Sequence, residues 1–506
     1  MKATLGLTLA LILATQITNA AEYLVKYKNS SALNKMAWMQ TETFGLEMKE
    51  LNRTGSYVRV NIAKANQVRT LASLYADKNV EYVVPNFKIR AYANQVSVQA
   101  LKDQYSLAKV NAEQAWRRAG NKGSRSVILA VIDTGVDYTH PNLVPNMVAG
   151  FDFKDNDADP MDEIAANGNP GHGTHCAGII GASGLIDGGT SGISPEVSIM
   201  PLRFLGADGS GDLNSAIKAI DYAIAHKVSV ISASWGASIP LTTAKPLVEA
   251  LDRADQAGII FVTAAANDGK NNDVTDVYPA NAGTANMVVV AASDSTDAKP
   301  SWSNYGKGKV SIAAPGDAII STLPGNKYAN LSGTSMATPL VAGLVAFLKA
   351  QDATLTGAEV RSLMQTTGAK VQIETACNCR IDAFAAVDTL LAKKAWMVPA
   401  AATIAEQTTL QMAMKNASGA VKFESSNPAI ATIDATGLLK AIAKGTLTVK
   451  ATDAAGNAVQ SLDINVGAVA STPDPGNPGA PGDCPLGDAA TCQAICGIFP
   501  QAPWCH

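Results

Sequence analysis

The sequence is poor in charged residues and in histidine, and it has no excess of basic residues. Only 16% of its 506 residues are Asp, Glu, Lys or Arg, and 5 are His. Lys and Arg total 40 against 43 Asp and Glu, so the chain lacks the positive field with which nucleic-acid-binding proteins neutralise phosphates. Hydrophobic residues make up 47%, which excludes general disorder. The length predicts about three folded domains, and we expect no nucleic-acid partner.

Long hydrophobic runs are also lacking. The first apolar segment, 5–14, follows Lys2 and leads to small residues ending at Ala20, which is typical of a secretory signal peptide over residues 1–20. A membrane span needs about 18 or more apolar residues, and the later run 336–348 is shorter. We therefore predict a secreted, extracellular protein, or one held at the cell surface or in the periplasm, with no membrane span after signal removal.

Cysteine is scarce until the end of the chain. Four of the seven Cys follow a Pro- and Gly-rich linker at 468–483 and predict a small Cys-rich tail over 484–506, for which three disulfide pairings are open. Cys377 and Cys379 either bridge each other or pair elsewhere. Cys176 is then the odd thiol, and we expect it to be buried and unpaired.

Short β-rich apolar runs that alternate with helical segments predict the central fold. This pattern indicates an α/β fold, a doubly wound and mostly parallel sheet covered on both faces. Residues 22–92 show the strand–helix–strand pattern of a small α+β unit, and the alternation after Trp396 predicts a small β-sandwich. In a parallel sheet the chemistry gathers where strands end. The apolar runs are 127–132, 197–205, 228–233, 259–265, 287–292 and 310–313.

A carboxylate follows the first of these runs, in Asp133-Thr134-Gly135. A turn aspartate is the simplest interpretation. An aspartic protease is another, since Asp-Thr-Gly is its motif, but such a site needs two carboxylates that share a proton. No second Asp-Thr-Gly or Asp-Ser-Gly occurs in the chain, which disfavours that interpretation.

Two of the five histidines lie together among small residues, His172 and His175, at the start of an apolar helical stretch. A metal pair with the nearby Cys176 is one interpretation, but a zinc site would need further ligands at suitable spacing. A general base is the better interpretation, because imidazole titrates near neutral pH.

Two more polar residues stand at element ends. Ser335 lies at the start of an apolar helix, where serine alone is usually a cap, but Gly333 permits a sharp turn and the helix N-terminus offers N–H groups to an anion. Asn267 follows another strand, and an amide there can donate to a developing oxyanion.

These segments, in the order Asp, His, Ser, resemble the subtilisin-like serine proteases, and the histidine segment is most similar to the thermitase-like branch. The resemblance covers about residues 100–392. It implies that Ser335 is the nucleophile, that His172 is its general base and that Asp133 orients the imidazole. It also implies an oxyanion hole formed by Asn267 and the backbone N–H of Ser335.

The resemblance further implies how substrate is held. Two backbone edges match those that bind an extended substrate as an added strand, so we expect protein or peptide substrates and broad specificity. Apolar walls favour an apolar or aromatic side chain before the cut, although Asp276 leaves a basic preference open, and Ala266 stands where the family usually has Gly. The predicted substrate-binding residues are Gly209, Ser210, Gly211, Ser234, Trp235, Gly236, Ala264, Ala265 and Ala266.

Alternating carboxylates precede the histidine segment, and such loops ligate hard cations or are simply solvated. The thermitase-like branch holds calcium at the matching loop, so the resemblance implies structural Ca²⁺ here. A second calcium site of the family usually has Asp where this chain has Asn142, so we do not predict that site. The predicted metal ligands are Asp152, Asp155, Asp157 and Asp159.

The remaining segments also resemble parts of known proteins. Residues 21–98 resemble the family's inhibitory propeptide, which implies an intramolecular inhibitor that the enzyme itself removes from the catalytic domain at 99–394. We place that cut between about Tyr92 and Lys102, in a connector that we expect to be exposed. Residues 397–467 resemble a bacterial immunoglobulin-like domain.

Two functions follow from this organisation. The first is a secreted serine endopeptidase of broad specificity, autoprocessed from a preproenzyme. The second is an exported adhesin with an inert protease-like body, since immunoglobulin-like domains bind cell surfaces or polysaccharides, or act as spacers. The complete set of Asp133, His172, Asn267 and Ser335 favours the endopeptidase.

Overall fold

The computed structural model describes residues 20–29, 33, 46–52, 54–92, 94–97, 104–166, 168–185, 189–467 and 493. They belong to two compact units, one made of residues up to 87 with 240–245 and the chain terminus, the other of 88–239 and 246–470. The predicted signal peptide, linker and Cys-rich tail lie outside the described residues, apart from residues 20 and 493. Within the described ranges, no helix is long and apolar enough to cross a membrane.

The first unit contains an antiparallel sheet with one helix packed against it. Alternate residues of the first strand, such as Tyr23, Val25 and Tyr27, form a core with Leu71 and Leu74 of the helix. The strand order is β2-β3-β1-β4. The elements are β1 (Ala20–Tyr27), β2 (Leu46–Asn52), β3 (Tyr57–Ala63), α1 (Gln67–Ala76) and β4 (Val80–Pro85).

The second unit begins with two short strands and continues into the α/β body. The elements between residues 88 and 391 are β5 (Lys88–Ala91), β6 (Asn94–Ser97), α2 (Tyr105–Lys109), α3 (Ala112–Ala119), β7 (Ile128–Asp133), β8 (Phe151–Asp152), α4 (His172–Gly181), β9 (Ser198–Arg203), β10 (Ser210–Asp212), α5 (Leu213–Ala225), β11 (Val230–Ala233), β12 (Trp235–Gly236), α6 (Leu241–Gln256), β13 (Ile260–Ala264), β14 (Met287–Ser293), β15 (Ile312–Pro315), β16 (Ile319–Leu323), β17 (Lys327–Ser332), α7 (Thr334–Gln351), α8 (Gly357–Thr367), β18 (Ala369–Lys370), β19 (Cys379–Arg380) and α9 (Ala383–Leu391).

A nine-stranded sheet is the centre of this body, with the order β18-β19-β15-β14-β13-β11-β7-β9-β8. The strands from β8 to β15 in this order pair in parallel. They are buried on both faces, as Val- and Ile-rich strands in covered parallel sheets are. The predicted doubly wound fold is therefore confirmed. Strand order reverses around β7, and a crevice forms beyond the carboxyl ends of strands at such a point.

Helix α7 is buried all round from Thr334 to Leu348, as its apolar sequence predicts. It packs against β11, β13, β14 and α4. Gly343 allows the close approach to α4, because a side chain there would meet Ile193 and the backbone of Ile180. The next helix, α8, begins at a capping box between Thr356 and Glu359.

The C-terminal part of the second unit is all β, as predicted. Trp396 is buried in the core of the α/β body, Lys415 Nζ lies 2.6 Å from Glu359 Oε1, and the N–H of Ala400 donates to Ser362 Oγ. These contacts join this part to helix α8. Its strands, in small sheets of two or three, are β20 (Trp396–Val398), β21 (Ala402–Ala405), β22 (Thr409–Gln411), β23 (Ala413–Lys415), β24 (Val421–Ser425), β25 (Ala431–Ile433), β26 (Leu438–Ala441), β27 (Gly445–Leu447), β28 (Val449–Asp453), β29 (Ala458–Gln460) and β30 (Ile464–Gly467).

Three cysteines lie within the described residues of the α/β body. Cys377 and Cys379 are joined by a disulfide, which is one of the two alternatives that the sequence left open. Cys176 is unpaired and buried.

Candidate active site

An acid–base pair joins the carboxyl end of β7 to the first turn of α4. Nδ1 of His172 donates to Oδ1 of Asp133 over 2.7 Å, and both side chains are only 1% exposed. Burial alone would lower the pKa of His172, but the adjacent carboxylate raises that pKa well above its ordinary value. Nε2 of the ring has no hydrogen-bond partner among the described residues. The imidazole is thus oriented through one nitrogen, and the other is available to take a proton.

Ser335 lies in the first turn of α7 and is fully buried. Its Oγ donates to the carbonyl oxygen of Ser234 over 3.0 Å and is not hydrogen-bonded to His172. Sγ of Cys176 bridges the two regions, 4.0 Å from Nδ1 of His172 and 3.5 Å from the carbonyl oxygen of Ser335. The structure therefore brings the predicted nucleophile and base into one cluster without the hydrogen bond between them.

Asn267 follows β13 and points its amide into the cleft. Nδ2 donates to the carbonyl oxygen of Tyr92 over 2.9 Å. Oδ1 accepts from the backbone N–H and from Oγ1 of Thr334, each over 2.9 Å, which fixes the orientation of the amide. One of the two predicted oxyanion donors is therefore bonded to the carbonyl that precedes the Tyr92–Ala93 bond.

Strand β5 lies between the two predicted backbone edges. It pairs antiparallel with β10 on one side and with β12 on the other. The N–H of Ala91 donates to Gly209 and that of Tyr92 donates to Ser234, each over 3.2 Å. The predicted edge residues thus bind an extended strand by its main chain, and the strand is the chain's own residues 88–92.

The side chain of Tyr92 lies against Gly236. A Cβ built on Gly236 would lie 2.6 Å from Oη of Tyr92, so glycine is needed there for the phenol to fit. Burial, with a contribution from Asp268, raises the pKa of Tyr92 and keeps the phenol neutral. Ala264, Ala265 and Ala266 are fully buried at the end of β13, and Ala266 has a φ of 89°, a value that favours glycine.

The chain beyond Ala93 also binds to the body as a strand. Residues 94–97 form β6 and pair antiparallel with β17, whose last residue is Ser332. The connector that we expected to be exposed is therefore bound along its described part. Further on, Gln104 is fixed by two hydrogen bonds to the backbone of Ser191.

The four predicted calcium ligands do not converge on one point. The guanidinium of Arg203, at the end of β9, lies against Asp152 and 2.7 Å from Asp155. It therefore occupies the position between these two carboxylates that a calcium ion would need. Oδ1 of Asp159 instead accepts from the hydroxyl of Tyr138, and Oδ1 of Asp157 accepts from the N–H of Asp159. The arrangement does not fit a calcium ion held by all four carboxylates, because an arginine already compensates the first two.

The histidine pair considered for zinc is also not assembled. Nε2 of His175 lies 3.0 Å from the carbonyl oxygen of Ala329, and burial lowers the pKa of His175 to about 3. Among the described residues, the metal-ligating groups that gather are Asp133, His172 and Cys176, within 4.8 Å of one another. Two of these are already paired by the hydrogen bond from His172 to Asp133.

Asp162 is a residue of the site that sequence reasoning missed. It is 4% exposed and receives four hydrogen bonds, from Thr134 Oγ1, Asn169 Nδ2 and both the N–H and Oγ1 of Thr174. Burial raises its pKa to about 6 despite these donors. Nothing in the sequence separates Asp162 from the other acidic residues of the same loop.

Comparison with protein families gives two matches. Residues 124–389 match the subtilase family, and residues 396–463 match the family of bacterial Ig-like domains of group 2. The first span contains Asp133, His172, Asn267 and Ser335.

Individual relatives resemble longer parts of the chain. A thermophilic serine proteinase of Bacillus sp. (strain AK1) is 36% identical over 351 residues, which are 69% of this chain and 82% of the relative. Thermitase of Thermoactinomyces vulgaris is 40% identical over 268 residues, 53% of this chain and 89% of that protein. Subtilisin NAT of Bacillus subtilis subsp. natto is 31% identical over 347 residues, 68% of this chain and 84% of that protein.

Proposed function

Because the chain belongs to the subtilase family and is a subtilisin-like serine endopeptidase, we propose that Asp133, His172 and Ser335 are its catalytic residues. We further propose that its first substrate is its own bond between Tyr92 and Ala93. The observation that carries both proposals is the hydrogen bond from Asn267 to the carbonyl oxygen of Tyr92.

The proposed chemistry forms and then hydrolyses an ester. Ser335 Oγ attacks the carbonyl carbon of Tyr92 while Nε2 of His172 takes the hydroxyl proton, and Asp133 keeps Nδ1 protonated and in place. The oxyanion receives hydrogen bonds from Asn267 and from the backbone N–H of Ser335, which lacks an intrahelical partner in the first turn of α7. His172 then protonates the departing amine of Ala93, and water releases the acyl group by the reverse sequence.

One rearrangement must precede this chemistry. Oγ of Ser335 is directed at the carbonyl oxygen of Ser234, so its side chain must rotate to donate to His172. Catalytic hydrogen bonds that are absent at rest often form only in the reacting complex.

The contacts of β5 support a broad specificity. Its hydrogen bonds to β10 and β12 use main-chain atoms, which every peptide offers. Selectivity then rests on the surroundings of the Tyr92 side chain, where Gly236 leaves room for a phenol, so we propose a preference for aromatic or apolar side chains before the cut. The same contacts support an inhibitory role for the propeptide, because its tail occupies the cleft that other substrates need.

The domain organisation completes the proposal. We propose export directed by residues 1–20, a propeptide that ends at Tyr92 instead of 98, and contact with a cell surface or polysaccharide through the C-terminal region.

A calcium ion held by the four aspartates is not part of the proposal, because Arg203 lies against two of them. A thermal midpoint several degrees higher with calcium than with chelator would show that the folded protein binds calcium in spite of this arrangement.

The test is the intact mass of the purified protein beside its Ser335→Ala variant, in a host without other extracellular proteases. We expect the wild type to begin at Ala93 and the variant to keep its propeptide. Ser301→Ala, which changes an exposed serine, serves as the control and is expected to be processed like the wild type. Equal processing of Ser335→Ala would contradict the nucleophile, and a different N-terminus of the wild type would contradict Tyr92 alone.

A further inference from the structure

The first turn of α4, which carries His172, is held by polar groups that come from three segments. Oδ1 of Asn169 accepts the backbone N–H groups of Gly171 and His172, over 2.9 and 2.8 Å. Oγ1 of Thr134, next to Asp133, accepts the N–H of Gly173 over 2.9 Å. The position of the imidazole therefore depends on how Asn169 and Thr134 are themselves held.

Both are held by one carboxylate. Oδ1 of Asp162 accepts from Thr134 Oγ1 over 2.8 Å and from Asn169 Nδ2 over 2.7 Å. Oδ2 accepts from the N–H and from Oγ1 of Thr174, over 2.9 and 2.6 Å, so it also closes the first turn of α4 directly. Asp162 is the only described side chain that bonds to all three of these residues, and its donors are hydroxyl, amide and peptide N–H groups rather than a cation.

The place of this carboxylate also bears on the charge of His172. Asp162 lies at the amino end of α4, where unpaired N–H groups and the helix dipole favour a negative charge. His172 is the first residue of the same helix and becomes positive when it takes the proton of Ser335. A carboxylate at this end of the helix stabilises that positive charge, in addition to the stabilisation by Asp133.

We propose that Asp162 is a positioning residue of the endopeptidase, which fixes the first turn of α4 and thereby the imidazole of His172, and whose charge favours the imidazolium. The inference rests on the proposed role of His172 as general base. It assigns to the loop before the histidine segment a part in catalysis that does not involve a metal ion.

The test compares Asp162→Asn with Glu163→Gln in the mature enzyme acting on a peptide ester and a peptide amide. Asparagine keeps the shape of Asp162 but cannot accept at both oxygens, whereas Glu163, whose side chain is 55% exposed, has its ion pair with Arg203 outside this network. We expect Asp162→Asn to lower kcat about 10- to 100-fold with KM within about twofold, and Glu163→Gln to leave both unchanged.

A second measurement separates positioning from general destabilisation. The acid limb of kcat/KM should move to lower pH in Asp162→Asn, because the helix that carries His172 then has one anion fewer at its amino end. The titratable groups that interact with His172, which are Asp133, Cys176 and His175, are unchanged. A loss of folding alone would lower the amount of active enzyme and leave the pH profile in place.

Thr134→Val covers the case in which Asp162→Asn does not fold, because it removes one hydroxyl of the network and keeps the side-chain shape. We expect kcat to fall about 10-fold. If the wild type is active and a folded Asp162→Asn has the same kcat and pH profile, the inference is overturned. If Asp162→Asn does not fold, the same result in Thr134→Val overturns it. An inactive wild type would instead overturn the proposed function.

Discussion

The two helices that carry the proposed nucleophile and the proposed base are held in different ways. Helix α7, with Ser335, is apolar and buried along most of its length, so packing fixes it. Helix α4, with His172, is fixed at its first turn by a buried polar network centred on Asp162. The position of Ser335 thus depends on the packing of apolar side chains, and the position of His172 depends on hydrogen bonds and charge. Substitutions that change volume should therefore affect stability, and those that change the polar network should affect turnover.

The largest effect is expected where α7 meets α4. Gly343→Val places a side chain against Ile193 and the backbone of Ile180, and such overpacking costs about 3 kcal/mol. Denaturant unfolding in the Ser335→Ala background measures this cost without self-digestion. Gly467→Val, at a glycine with open space around it, is the control and should cost little. A lower kcat for each folded molecule of Gly343→Val, measured with Ser335 intact, would show that packing also tunes the chemistry.

The next effect is on the pH dependence of activity. As the proposed base, His172 must be neutral to accept a proton, and the adjacent Asp133 raises its pKa against the effect of burial. Activity is therefore present above that raised pKa and falls about tenfold for each pH unit below it. We expect the acid limb of kcat/KM to be centred above about 6.5, the ordinary value for histidine. A limb centred below that value would mean that burial outweighs the carboxylate.

A smaller effect is expected at Asn169. Asn169→Ala removes the acceptor of two backbone N–H groups in the first turn of α4, one of them that of His172. We expect kcat to fall about 10-fold and the free energy of unfolding to fall by about 1–2 kcal/mol. A loss of stability of this size with unchanged kcat would show that other residues position the imidazole of His172.

The smallest effect is expected at Ala266, whose φ of 89° strains a residue that has a Cβ. Ala266→Gly should relieve about 1 kcal/mol of strain, seen as a small rise of the thermal midpoint in the Ser335→Ala background. The matched control is Ala265→Gly, at a residue outside the left-handed region, which should lower the midpoint. A lower midpoint for Ala266→Gly would show that the methyl group packs more favourably than it strains.

The sequence predicted those parts of the site that depend on local chain geometry. Asp133 ends a buried strand, Asn267 follows another and Ser335 lies in the first turn of an apolar helix, so the doubly wound sheet brings their segments to one edge. The two edges that hold an extended strand were also predicted, and they bind residues 88–91. A short motif predicts such features because the residues next to it in the sequence determine where its side chains lie.

Contacts between distant segments could not be predicted in this way. Arg203 pairs with Asp152 from a different strand end, and the spacing of the aspartates gave no sign of it. The bonds of Asp162 to Thr134 and Thr174 likewise span 28 and 12 positions of the chain. The binding of β6 to β17 is between backbones, and backbone pairing leaves little trace in the identity of side chains.

The tail in the cleft has a kinetic consequence. Residues 88–97 are part of the same molecule as the site that would cut them, so their effective concentration is on the order of millimolar and the first cleavage is unimolecular. Its half-time should not change on dilution. Afterwards the piece ending at Tyr92 is retained only by non-covalent contacts and can be diluted away, whereas β6 remains tethered through Gln104. Rebinding of the released piece is then bimolecular and slows on dilution, whereas rebinding of β6 is unimolecular and does not.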